Sequence, residues 1–159
     1  MSPRAEFIAL TSVLACLLAT LGYVWFSRSS SYRVPGEFET GLATGIAGVL
    51  SGAAAAVLSS AWHATASRAN KSWSPERFSL NTTVPVMVLF PFLLGLGMGA
   101  VNLLMFQSAT PLDDASYVMI ISAIVGVRAS VAGAVPFLLL EFLVCHRYQL
   151  RTTVTTGSA

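Results

Sequence analysis

The chain has 159 residues, with nine Lys and Arg, seven Asp and Glu, two His and a formal net charge of +2. Hydrophobic residues make up 55% of it and charged residues 10%, against about 25% charged in ordinary soluble domains. That balance excludes a water-soluble fold, because too little polar surface remains to cover the apolar side chains; with no basic run or aromatic-interleaved patch, nucleic acid is not an expected partner.

Four apolar stretches fill most of the sequence: Phe7 to Phe26, Thr40 to Trp62, Val84 to Phe106 and Tyr117 to Cys145. A helix needs about 20 residues to cross a hydrocarbon core of about 30 Å. The pattern predicts an all-α integral membrane protein. Its four transmembrane helices form one domain over residues 1–159, with a short polar tail at 146–159. The first stretch follows Arg4 and exceeds the apolar core of a signal peptide, about 7–15 residues. Ser27 to Tyr32 offer no clean small-x-small cleavage site, so a retained helix is expected.

In the second stretch Gly41, Gly45, Gly48 and Gly52 fall within about 60° of one another on a helix. Lipid supplies no hydrophobic drive for helices to associate, so such small-residue faces are expected to carry tight packing. Ala53 to Ala56 extend this face. The third stretch has Gly95 and Gly99 at the same spacing, with Gly97 between them. Pro85 is expected at its start, where a missing N–H costs nothing, and Pro91 inside it, where it should bend the helix. Asn102 is its one strongly polar amide.

The fourth stretch is too long. As one helix it would extend about 43 Å. It is expected either to run long and tilted or to break near Gly126 to Arg128. Gly126, Ser130 and Gly133 share a face, and Pro136 should bend the helix. Arg128 and Glu141 are its charges. They lie 13 positions apart, about 220° around a helix, so they cannot pair with each other. Arg128 is expected near mid-membrane if the helix is straight, with Asn102 as its best partner within the chain, or at the interface if it is broken. Glu141 is expected near the end of the helix, reaching the interface or accepting from His146 or Arg147, with a proton- or ion-binding role as the sharper alternative.

With four crossings, Arg4, Arg68, Lys71, Arg77, Arg147 and Arg151 collect on one side. Arg28 and Arg33 fall on the other, with Glu37, Glu39, Asp113 and Asp114. The positive-inside rule then places both termini in the cytoplasm or an organelle matrix. Asn70-Lys71-Ser72 and Asn81-Thr82-Thr83 match the glycosylation sequon and pull the other way. Tyr23, Trp25, Phe26, Trp62, Tyr117 and Tyr148 are placed as an interfacial aromatic belt.

No constellation for catalysis stands out. His63 and His146 do not form an i, i+4 pair, Cys16 and Cys145 lie at different depths, and Asp113-Asp114 reads as a solvated turn. There is no P-loop, nucleophile elbow or HExxH motif. No enzymatic activity, metal or cofactor is expected. A helix-embedded Glu141 in a Gly-rich four-helix chain resembles the proteolipid rotor subunits of vacuolar-type ATPases, without their duplicated hairpin. Separately, Asp113-Asp114, Gly126-x-Arg128 and Gly133 resemble the mitochondrial inner-membrane translocase family over about a seventh of the chain. That family, which includes an accessory subunit of respiratory complex I, would place two crossings after the acidic pair. The resemblance implies the mitochondrial inner membrane.

The leading expectation is a non-catalytic accessory or structural subunit of a larger membrane complex, respiratory or translocase-type. Its partners would be the bilayer, bound lipids and other membrane subunits or a second copy. The alternative is a small proton- or ion-coupled transporter or channel subunit using Glu141 and Arg128.

Overall fold

A computed structural model describes residues 2–29, 37–68, 73–105 and 110–156. They form four helices: α1 (Pro3–Ser29), α2 (Glu37–Arg68), α3 (Pro75–Met105) and α4 (Pro111–Thr156). All four are long and apolar enough to cross a membrane, so the chain reads as a multi-pass membrane protein.

Local chemistry explains where three of them start. Ser2-Pro3, Ser74-Pro75 and Thr110-Pro111 each put a hydroxyl residue before a proline in the first helical position. Proline there gives up an N–H that the first turn could not use, and its fixed φ suits a helix. Ser2 Oγ then accepts from the Ala5 amide at 3.2 Å, and Ser74 Oγ from the Arg77 amide at 3.4 Å, as N-caps do. Each helix therefore begins before its apolar stretch.

The helices pack in a closed ring, α1–α2–α3–α4, each against two neighbours. Chain direction alternates, so one end gathers the start of α1, the end of α2, the start of α3 and the end of α4. Among the described residues that end holds Arg4, Arg68, Arg77, Arg147 and Arg151 with Glu6 and Glu76; the other holds Arg28 with Glu37, Glu39, Asp113 and Asp114. Arg33, Lys71 and the sequon at Asn70 lie outside the described residues.

Three buried layers stack along the axis. Phe7, Ala56, Phe78 and Cys145 form the layer nearest the arginine end. Ala15, Ala55, Val86 and Phe137 form the next. Ala47, Phe90 and Leu94 form the third, with no residue from α4. Glycines lie at several crossings. A Cβ on Gly48 would come within 2.9 Å of the Ala15 carbonyl, and one on Gly52 within 2.9 Å of Ser12 Cα and the Thr11 carbonyl. Gly45 faces Thr20 and Cys16, and Gly41 faces the Tyr23 ring. On α3 a Cβ on Gly95 would meet the Met119 carbonyl at 2.8 Å, and Gly99 faces Ala115 and Met119. A Cβ on Gly133 would meet nothing within 4 Å among the described residues.

Of the two forms expected for the fourth stretch, α4 takes the long one, a single unbroken helix of 46 residues, about 69 Å long at 1.5 Å per residue. Several other expectations need correcting. Gly126 sits not at a break but against α3, where a Cβ would lie 2.7 Å from Pro91 Cα. Residues 146–156 continue α4 rather than forming a separate tail. Asn81-Thr82-Thr83 is buried within α3 at both threonines, so Asn81 is no glycan acceptor. Tyr148 is half-buried at the arginine end. Its ring packs 4.9 Å from Phe7 and 5.6 Å from Phe78, inside an aromatic group that also stacks His63 on Phe78. Trp25 and Tyr117 are exposed.

Pro85 is also not at a helix start, because α3 begins ten residues earlier. A proline inside a helix leaves the carbonyl four residues back without its donor. For Pro85 that carbonyl belongs to Asn81, and Ser59 of α2 donates to it at 3.1 Å. Ser59→Ala is therefore expected to cost about 1 kcal/mol. A Ser59→Ala, Pro85→Ala double variant, in which the amide is restored, should recover most of that loss in a reversible unfolding assay.

Candidate functional site

Two charged side chains, Arg128 and Glu141, lie within the apolar stretch Tyr117 to Cys145 of α4, and the structure treats them oppositely. Glu141 is fully buried, at 0% exposure. It sits between Phe137, one turn earlier, and Cys145, one turn later, both also buried. Its Oε1 accepts from Thr11 Oγ1 of α1 at 2.8 Å and from the Cys145 thiol at 3.7 Å. Its Oε2 is buried with no hydrogen-bond partner. The Cys145 thiol also meets the Thr82 hydroxyl of α3, so three helices converge on this carboxyl.

Three other hydroxyls near this depth turn back on their own helices. Ser12 donates to the Ile8 carbonyl at 2.6 Å, Ser79 to Glu76 at 3.1 Å and Thr82 to Phe78 at 3.1 Å. Such local bonds are what Ser and Thr make inside helices. Thr11 differs: its hydroxyl reaches across to Glu141.

Glu141 thus neither reaches an interface nor accepts from His146 or Arg147. The reason is the length of α4, which continues fifteen residues past Glu141 to Thr156, with α1 packed alongside. His146 instead stacks on Phe142, with ring centroids 6.2 Å apart. Arg147 pairs with Glu6 of α1 at 2.8 Å, and Arg151 holds the other oxygen of Glu6. Arg4 Nε donates to Ser60 Oγ at 3.2 Å and Gln149 donates to the Trp73 carbonyl at 3.0 Å. The arginine end is therefore clasped by polar bonds between the helices. Among the described residues no basic side chain pairs with Glu141.

Arg128 is exposed on the outward side of α4. Gly126, two residues before it, abuts Pro91, next to the midpoint of α3. Arg128 is thus level with the middle of the bundle. Asn102 is not its partner. It lies eleven residues beyond Pro91, about 16 Å further along α3, and is half-buried with no hydrogen bond to Arg128. Ser130 Oγ and Thr83 Oγ1 are buried without partners. Both cysteines are free thiols. Among the described residues no group of three or more His, Cys, Asp or Glu could hold a metal ion.

Sequence reasoning passed over Glu6 as the α1–α4 clasp and Thr11 as the partner of Glu141. A signal existed for each. Glu6 is the only acid before the first apolar stretch, and Thr11 and Ser12 are polar residues early within it.

The chain matches no known family model, no curated protein and no solved structure. A single helix, not two crossings, follows Asp113-Asp114, which separates this fold from the translocase pattern in that region.

Proposed function

We propose that this protein is a non-catalytic accessory or structural subunit of a larger membrane complex, respiratory or translocase-type among the candidates, held together by its small-residue helix faces. One observation carries the reading: Arg128 stands exposed, level with the middle of the bundle, on a helix face that its own chain leaves open. A cation in hydrocarbon costs at least about 2.5 kcal/mol and is kept where something pairs with it. Both termini are proposed on the cytoplasmic or matrix side, supported by the arginines gathered at that end of the bundle. Bound lipids would fill the apolar groove between α2 and α3, which Leu42, Ile46, Leu93 and Val101 help to line. α4, longer than the bilayer is thick, would tilt or project from it.

The test is gentle detergent extraction from the native membrane followed by a native gel. The wild-type chain should migrate in a complex larger than itself, and Arg128→Leu should release it. A wild-type chain that migrates alone overturns the reading.

The unpartnered Oε2 of Glu141 favours a second reading. A carboxyl with one bare oxygen deep in a bundle can exchange a proton, which is what coupled transporters need. In liposomes containing the purified chain alone, that reading requires proton flux that Glu141→Gln abolishes. Flux of that kind would replace the accessory reading.

A further inference from the structure

Arg128 does not stand alone on its face. Stepping by three and four residues, Ile121, Ile124, Val125, Val131, Val135 and Leu139 lie within about 60° of it around α4. All six are exposed. The face is a ridge of aliphatic side chains with one guanidinium in the middle. Pro91, level with Gly126, is fourteen residues from one end of α3 and sixteen from the other, so in a bilayer centred on the bundle the edges of a hydrocarbon core of about 30 Å would each lie about 15 Å away. That is farther than an arginine side chain can snorkel.

We infer that this ridge docks a transmembrane helix of a different protein, one that carries an aspartate or glutamate at the depth of Arg128. The inference rests on the accessory-subunit reading and gives that subunit's partner its chemistry. A guanidinium in hydrocarbon is best met by a carboxylate, with which it makes paired, charge-assisted hydrogen bonds. A second copy of this chain cannot supply one. In a two-fold dimer through this face Arg128 would meet Arg128, and like charges repel. No acid of this chain lies free at that level. Glu6 is paired with Arg147 and Arg151, and Glu76 shares their end. Glu37, Glu39, Asp113 and Asp114 sit at the other end, and Glu141 is fully buried. Anionic lipid headgroups lie at the surfaces, out of reach.

A photoreactive amino acid placed at Val135 in the full chain, in its native membrane, tests this. A second site at Leu17, exposed on α1, serves as the control face. Val135 should cross-link to a different chain whose sequence carries an acid within a membrane-spanning stretch. Arg128→Leu should reduce that product by more than about tenfold, and Arg128→Lys should reduce it less. Arg128→Glu combined with the partner's acid changed to arginine should restore it. A cross-linked dimer of this chain, a partner without a membrane-embedded acid, or a product insensitive to Arg128→Leu overturns the inference. If another chain cross-links from Leu17 and none from Val135, the accessory reading stands and this inference falls. If lipid adducts alone form at both sites, both fall.

Discussion

Gly126→Ala is expected to destabilise the helix bundle by about 1–3 kcal/mol, while Gly133→Ala leaves it unchanged or raises its stability by up to about 1 kcal/mol. The two substitutions add the same methyl group to the same helix, seven residues apart. At Gly126 the new carbon would lie 2.7 Å from Pro91 Cα and 2.9 Å from Pro91 Cβ. Neither atom can rotate away, because one is backbone and the other is locked in a ring, so α3 and α4 must separate. At Gly133 the methyl would meet nothing within 4 Å, so only the gain in helix propensity remains. Gly52→Ala should behave like Gly126→Ala, since two of its three closest neighbours, each at 2.9 Å, are backbone atoms of α1. Reversible unfolding in detergent micelles, followed by circular dichroism, measures all three. Equal costs at Gly126 and Gly133 would show that the α3–α4 contact does not depend on the missing side chain.

The second large effect is expected at Glu141. Glu141→Ala empties a fully buried site between Phe137 and Cys145 and strands the Thr11 hydroxyl, for a loss of about 2–4 kcal/mol. Glu141→Gln retains an oxygen for Thr11 and should cost less than about 1 kcal/mol. Thr11→Val should cost about 1–2 kcal/mol in the wild type, because it removes the hydroxyl donor from Oε1 while Oε2 already has none, and clearly less in the Glu141→Ala background. A double-mutant cycle reads this as a coupling of about 0.6–1.7 kcal/mol, the range for hydrogen bonds between membrane helices. Strict additivity would mean that the 2.8 Å bond contributes nothing.

The class of fold was legible because about twenty consecutive apolar residues have few uses besides crossing a membrane. The helix ends were less so. Val84 looked like the start of α3 because the apolar run begins there, yet Ser74-Pro75-Glu76 is a helix-start signal that the apolar pattern does not register. That misplacement put Pro85 at a harmless position and hid the need of the Asn81 carbonyl for the Ser59 hydroxyl. The site was half legible. Arg128 stood out because any cation in such a segment does. Glu141 stood out too, but its burial depends on α4 continuing to Thr156 and on Thr11 facing it from α1. Neither is a local property of the sequence around residue 141. The glycine spacing marked Gly126 and Gly133 alike, because spacing records a helix face and not whether a neighbour covers it.

The bond between Thr11 and Glu141 spans 130 positions of the chain, and the Glu6–Arg147 pair spans 141. A ribosome delivers α1 first and α4 last. Until α4 has entered the bilayer, Thr11 and Glu6 lack the partners that pair them, and Phe7 has Phe78 beside it but not Tyr148. The nascent protein must therefore wait, with its first helix held by α2 and by Phe78 of α3, until α4 has been made. Assembly at the arginine end is thus a closing step rather than an opening one, and a ribosome stalled between α3 and α4 would leave an unfinished bundle open on that side.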